Sequence, residues 1–286
     1  MPASPCGDGC LITGAPTVSP VRRVLRIGSA VGVVLLTPLF APALFALRGA
    51  AKECLLRFIF GSVLRAFGVR LVVHGGADFP GFKSSVRGAL VVNNHISWLD
   101  IVAINAVRPM RALAKKEIAS WPVLGGLVSR GGTIFLDRER LSTLPATMAE
   151  LADSLRSGSL VSVTPEGTTW CGLASGRFTT ATFQAAIDGG VPVRPIALRY
   201  RLTDGRETSQ PAFIGPESLI ASLRRVAALR GLVVEVYVCP EIAPGTRDRR
   251  ELAALAESAV HSALGTVRIP AQTRRRVSRV PHAVDS

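Results

Sequence analysis

The sequence predicts a mixed α/β sheet flanked by helices and preceded by an apolar, amphipathic helical segment. Three observations predict it. Short apolar runs bounded by Gly, Pro and Asn recur from Val69 onward, stretches with helical apolar spacing lie between several of them, and an uncharged run of 21 residues, Ile27 to Leu47, precedes them all. At 286 residues the chain has length for one large domain or two small ones and ample material for a core.

Taken in order, residues 1–20 are rich in Pro, Gly, Ser and Ala with no apolar period, and are expected to be disordered. The run from Ile27 to Leu47 is long enough to span a bilayer. Pro38 and Pro42 lie inside it and basic residues flank both ends, so a bent, partly inserted segment fits as well as a spanning one, and no orientation follows. An Ala-x-Ala at Ala41 to Ala43 is a nominal signal-peptide site, but the apolar run continues past it and cleavage is not expected. Residues 51–67 alternate apolar clusters with Arg57 and Arg65 at helical spacing, so residues 21–67 together read as a helical membrane-docking segment. Strands are expected at 71–75, 89–94, 133–137, 160–164, 193–200 and 232–242. Helices are expected within 97–107, 142–158, 177–190 and 217–231, and from about Arg249 to Leu264, so that one domain covers 68–265. The remaining residues, 266–286, carry Arg268, Arg274, Arg275, Arg276 and Arg279 and read as a basic, disordered tail.

Composition narrows the partners. Apolar residues make up 48% against 19% charged, and mean hydropathy is +0.34, so some apolar surface is expected to meet lipid. The 34 basic and 20 acidic residues leave a net charge of +14, which favours anionic partners. Aromatics at 6% give few stacking platforms for single-stranded nucleic acid, so phospholipid is the expected anion and no nucleic-acid partner is expected. The five cysteines, Cys6, Cys10, Cys54, Cys171 and Cys239, are odd in number and widely spread, which argues against a disulfide framework. No His, Cys or Asp cluster stands at metal-ligand spacing, so no metal is expected. Cys6 and Cys10 read as incidental residues of the tail, and Cys171 as a packing residue.

Two strand ends carry chemistry. In VVNNHISWLD, residues 91–100, an apolar strand delivers His95 at its C-terminal end, where ligands meet α/β proteins, and Asp100 follows five positions later, about one turn into a helix that starts at Ser97. The carboxylate can fix the imidazole tautomer and stabilise the imidazolium, leaving the other ring nitrogen as a general base suited to an alcohol proton. A strand-capping His beside a helix-surface Asp has the same spacing. In LVSVTPEGTTW, 160–170, a second strand runs into Glu166, Gly167 and Thr168, where Gly allows close backbone approach and the hydroxyl and amides can hold a polar headgroup. An ordinary turn with Thr caps reads the same way. Lys115, Lys116 and Arg138 place positive charge around the strand ends, and Arg138 suits a bidentate phosphate contact.

The ordered set of His95 and Asp100, Gly132 to Arg138, Pro165 to Thr168 and Val191 to Ile196 resembles the glycerophospholipid acyltransferase family, which contains the 1-acylglycerol-3-phosphate acyltransferases. The resemblance covers roughly residues 65–245. It implies an α/β sheet behind an N-terminal amphipathic helical motif, with His95 as base, Asp100 as its partner, and Arg138 and Glu166 to Thr168 around the acceptor's glycerol phosphate; Gly132 and Lys115 join that substrate set. It implies acyl-CoA or acyl carrier protein as co-substrate with no resident cofactor, a lysophospholipid acceptor, and attachment to the cytoplasmic face of a membrane. The expected reaction turns 1-acylglycerol-3-phosphate into phosphatidate. Two departures stand out: Thr164 replaces the family's Phe, and Thr169-Trp170 replaces an Arg-Ser whose Arg contacts phosphate. The alternative acceptor is therefore another lysolipid such as lyso-ornithine lipid. A hydrolase would need a Gly-x-Ser-x-Gly elbow, which is missing. A non-catalytic membrane-binding protein would leave His95, Asp100 and Glu166 without a reason.

Overall fold

The computed structural model describes residues 4–75, 88–120, 124–137 and 140–265. Helices α1 (Pro20–Leu36), α2 (Ala41–Ala46) and α3 (Gly49–Phe67) come first. Strands β1 (Arg70–His74) and β2 (Ala89–Asn93), helix α4 (Leu99–Val107), strand β3 (Arg111–Lys115), helix α5 (Leu124–Arg130) and strand β4 (Ile134–Leu136) follow. Helix α6 (Leu144–Arg156), strand β5 (Leu160–Val163), helix α7 (Ala181–Gly189) and strand β6 (Val193–Leu202) come next, and α8 (Leu219–Ala228), β7 (Leu232–Val238) and α9 (Arg249–Leu264) complete the set.

Among the described residues the strands form one mixed seven-stranded sheet in the order β1-β7-β6-β2-β5-β3-β4. Neighbours from β6 through β4 are parallel; β7 runs antiparallel to β6, and β1 pairs parallel with β7 at the edge. Every residue of central β2 is buried. That is why Ala89 to Val92 are continuously apolar rather than alternating, as a parallel strand covered on both faces requires, with Asn93 closing the strand. Val91, Leu198, Val234 and Val236 pack on one face with Leu64 and Phe67 of α3, Leu99 and Ile104 of α4 and Val226 of α8. Leu90, Val92, Val161 and Val193 pack on the other with Leu151 and Leu155 of α6, Phe183 of α7 and Leu252 and Val260 of α9. The mixed, helix-flanked sheet is the predicted fold class. Strand β3 was not anticipated, because RALAK has a base at each end and only a three-residue apolar centre.

The N-terminal helices start and stop for local reasons. Ser19 caps α1 by accepting the Arg22 N–H, with Pro20 at the first position. Pro38 and Pro42 each begin a new segment: a 3-10 turn at Thr37–Phe40 and then α2. The resulting run Pro20–Ala46 is long and apolar enough to cross a membrane by length and composition, and only 6% of its most apolar window is buried. Val21, Leu25, Leu35, Leu39 and Phe45 are exposed, Phe45 at 92%. By contrast α3 is part of the domain, since Ile59, Leu64 and Phe67 are buried. It ends at Gly68, whose φ of 69° and lack of a Cβ admit the Arg26 guanidinium; a Cβ there would lie 2.1 Å from a guanidinium nitrogen. Arg26 Nη1 in turn donates to the Ala227 and Leu229 carbonyls at the end of α8, at 3.1 and 2.6 Å.

The expected disorder of residues 1–20 does not hold for the described part. The Ile12 N–H donates to Ser209 Oγ at 2.8 Å, Ser209 Oγ donates to the Cys10 carbonyl at 2.7 Å, and Val18 and Arg230 bond across to Ala228 and Pro16. A segment with no apolar period is ordered here by long-range backbone pairing, which a local composition argument does not see. The tail 266–286 lies outside the described residues.

Candidate active site

β2 and β5 lie side by side with Val92 opposite Val163. The third residue past each, His95 and Glu166, therefore leaves the same C-terminal edge of the sheet. The His95 N–H donates to Glu166 Oε2 at 2.5 Å, and its carbonyl accepts the Trp170 N–H at 2.8 Å. The loop after β5 thus holds the histidine main chain on both sides. Asn94 extends the pairing by exchanging hydrogen bonds of 3.0 and 2.8 Å with the backbone of Leu198 on β6.

Asp100 comes from the first turn of α4. Its Oδ2 accepts His95 Nδ1 at 2.9 Å and the N–H groups of Ile96 and Ser97 at 2.7 and 2.9 Å. Its Oδ1 accepts the Tyr200 hydroxyl at 2.7 Å. A carboxylate only accepts, so Nδ1 carries the proton and Nε2 keeps the lone pair. The histidine side chain is 29% exposed and the aspartate 2%, so the pair presents imidazole outward and keeps charge within. Burial and the adjacent Asp100 charge push the Tyr200 hydroxyl well above its ordinary range, which keeps it a donor.

Glu166 is corrected. Expected against substrate, it is fully buried, and besides His95 it accepts Ser175 Oγ at 2.5 Å and the Gly176 N–H at 2.8 Å. Both oxygens are filled by the protein. Burial pushes its carboxyl up to about 8, against the downward pull of these hydrogen bonds. Gly132 is corrected as well. It precedes β4, so in this parallel part of the sheet it sits at the edge opposite His95, and its carbonyl accepts Arg111 Nε at 2.5 Å. Lys115 ends β3 on the His95 edge and is exposed. Gly167, at φ 73°, and Thr168 form the half-buried turn beside Glu166. Arg138 lies outside the described residues. Thr169, where the resemblance led to an expected Arg, is half-buried and its hydroxyl donates to the Phe213 carbonyl.

Tyr200 is the site residue that sequence reasoning missed. Its signal is strand length: β6 runs ten residues, past the end of β2, and carries Tyr200 over the His95 edge.

Comparison with known proteins follows the same lines. A family signature described as Acyltransferase matches residues 70–199. The chain is 38% identical over 167 residues to a 1-acyl-sn-glycerol-3-phosphate acyltransferase of Neisseria gonorrhoeae, covering 58% of this chain and 65% of that relative's length. It is 36% identical over 186 residues to a lyso-ornithine lipid O-acyltransferase of Pseudomonas aeruginosa, covering 65% of this chain and 71% of the relative. The crystal structure of the 1-acyl-sn-glycerophosphate acyltransferase of Thermotoga maritima shares the fold, with a TM-score of 0.63 at 18% identity over 85% of this chain and 96% of that one. With the paired His95 and Asp100 at the sheet edge and relatives of this identity and coverage, the chain belongs to the glycerophospholipid acyltransferase family.

Proposed function

We propose that the protein is a membrane-associated lysophospholipid O-acyltransferase whose general base is His95. The supporting observation is the 2.9 Å bond from His95 Nδ1 to an Asp100 whose other acceptor positions are already taken by Ile96, Ser97 and Tyr200. That carboxylate has little freedom to move, so the imidazole is oriented before substrate arrives. In the reaction, Nε2 takes the proton of the acceptor hydroxyl as its oxygen attacks the carbonyl of an acyl thioester. Imidazolium forms against Asp100, the tetrahedral intermediate expels the thiolate by breaking the C–S bond, and the imidazolium proton passes to that sulfur. An ester and a free thiol result, with the base regenerated.

The donor is acyl-CoA or acyl carrier protein, both polyanionic and matched to a chain of net charge +14. The leading acceptor is 1-acylglycerol-3-phosphate, with Arg138 and Lys115 as cationic partners of its phosphate. The reading of lyso-ornithine lipid as acceptor is favoured by one feature: Thr169 turns toward the Phe213 carbonyl and supplies no cation where the family pattern has Arg. The apolar run Pro20–Ala46 supports attachment to the membrane, on the cytoplasmic face where these thioesters are found.

The test is mass spectrometry of the lipid formed from one acyl-CoA and a panel of lysolipids, with thiol release followed in parallel. Phosphatidate is expected from lysophosphatidate, and His95→Ala is expected to lose about two to four orders of magnitude in turnover. A purified His95→Ala protein with unchanged turnover would remove the histidine from the mechanism, and acylation confined to lyso-ornithine lipid would select the second acceptor.

A further inference from the structure

The arm that precedes α1 carries two cysteines onto the back of the active-site loop. The 3-10 turn Asp8–Cys10 folds Cys6 and Cys10 toward each other, with the Cys10 N–H donating to the Gly7 carbonyl at 2.8 Å. Cys171, from the loop after β5 and 161 positions beyond Cys10, meets them. The three sulfur atoms all lie within 4.8 Å of one another, with Cys6 and Cys171 buried and Cys10 half-buried. Cys6 and Cys10 are therefore not residues of a loose tail, while Cys171 is buried in the core as its packing reading expects.

We infer that Cys6, Cys10 and Cys171 form a binding site for a thiophilic divalent cation, Zn(II), that fastens the N-terminal arm to the active-site loop. Three thiolates about 2.3 Å from a tetrahedral zinc stand about 3.8 Å apart. From a spread of at most 4.8 Å, the sulfurs reach that geometry by small rotamer changes. A disulfide, by contrast, joins only two of the three and leaves the third sulfur unexplained. The fourth position falls to water, and loading releases the thiol protons to solvent.

The site also bears on the reaction centre through one residue, since Cys171 follows Trp170, whose N–H holds the His95 carbonyl at 2.8 Å. Metal at the three sulfurs would thus tie the arm, the loop and the histidine main chain into one rigid unit.

The test uses the full-length protein in detergent, stripped with a chelator under reducing conditions and reloaded with Zn(II), or with Co(II) as an optical probe. About one zinc per chain and near-ultraviolet thiolate-to-cobalt absorption are expected. Cys6→Ser and Cys10→Ser should each weaken zinc binding by more than about tenfold, the scale set by loss of a mere supporting contact. Cys54→Ser and Cys239→Ser should bind as wild type. Cys171→Ser can fail to fold because its side chain is buried, whereas Cys10 is half-buried on the arm and keeps the test decisive. Substoichiometric zinc after reloading, cobalt without thiolate absorption, or equal loss in Cys54→Ser would overturn the inference. A Cys6–Cys171 disulfide in protein purified without chelator would overturn it too, assigning the cluster to redox chemistry.

Discussion

Tyr200 and Asp100 show how much of the site is invisible around the histidine. The Tyr200 hydroxyl, 2.7 Å from Asp100 Oδ1, is the one side-chain donor on that oxygen among the described residues, and it keeps the carboxylate aimed at Nδ1. Tyr200→Phe removes the donor without leaving a buried polar atom on the tyrosine side. It is expected to lower kcat by about ten- to a hundredfold with acceptor KM unchanged, the size of a hydrogen bond to a charged group being about 1.5–3 kcal/mol. Steady-state kinetics checks this, and unchanged kcat with lowered stability would make the tyrosine a packing residue only. The His95 and Asp100 pairing was legible because both ends lie within one local turn, where spacing fixes distance. Tyr200 was not, because it reaches Asp100 across 100 positions of chain.

Two elements decide how the loop after β5 and the end of α3 behave. Glu166 anchors that loop to the His95 N–H, so Glu166→Ala, which removes both accepting oxygens, is expected to cut kcat by about 10²-fold through misplacement while sparing KM. Its carboxyl, raised from an ordinary 4.5 to about 8 by burial, binds a proton in the folded state that the unfolded chain has already lost. Stability from this group is therefore fully present below about 4.5 and declines as pH rises toward 8. Thermal unfolding across that window should show the decline in wild type and a flatter profile in Glu166→Gln; parallel profiles would assign the pH dependence elsewhere. At the other element, Gly68→Ala strains a residue at φ 69° and drives the Arg26 guanidinium from the α8 carbonyls. A loss of about 1–3 kcal/mol is expected in denaturant unfolding, and no loss would show that Arg26 finds equivalent partners.

For the whole molecule, the apolar surface is concentrated before α3. Leu39 and Phe45 are 72% and 92% exposed on the run that ends at Ala46, a patch with no reason to face water. Because α3 contributes Leu64 and Phe67 to the core, deleting residues 21–67 would damage the domain along with the exposed apolar run, and point substitutions are the cleaner probe. Leu39→Ser with Phe45→Ser is expected to weaken binding to anionic liposomes, each side chain being worth about 1.5–3 kcal/mol of burial, while unfolding stability stays at the wild-type level. Flotation at low and high salt measures it; undiminished binding at both would remove this segment from membrane attachment.

The sequence by itself determined the layered α/β class, because short continuous apolar runs such as 89–92, bounded by turn residues, fit buried strands and the stretches between them carry helical spacing. Its local spacing put His95 and Asp100 within reach of each other, while the family resemblance favoured a catalytic pair over a capping one. It also held the evidence against Gly132 at the site, since Gly132 precedes its strand while His95 and Glu166 follow theirs. Tertiary structure alone decided which strands are neighbours, and from that everything long-range: Glu166 against the His95 main chain, Tyr200 on Asp100, and the arm's cysteines against Cys171. Periodicity reports which face of an element is buried, whereas strand order and register decide which residues share an edge, and those depend on contacts between parts of the chain that no local pattern connects.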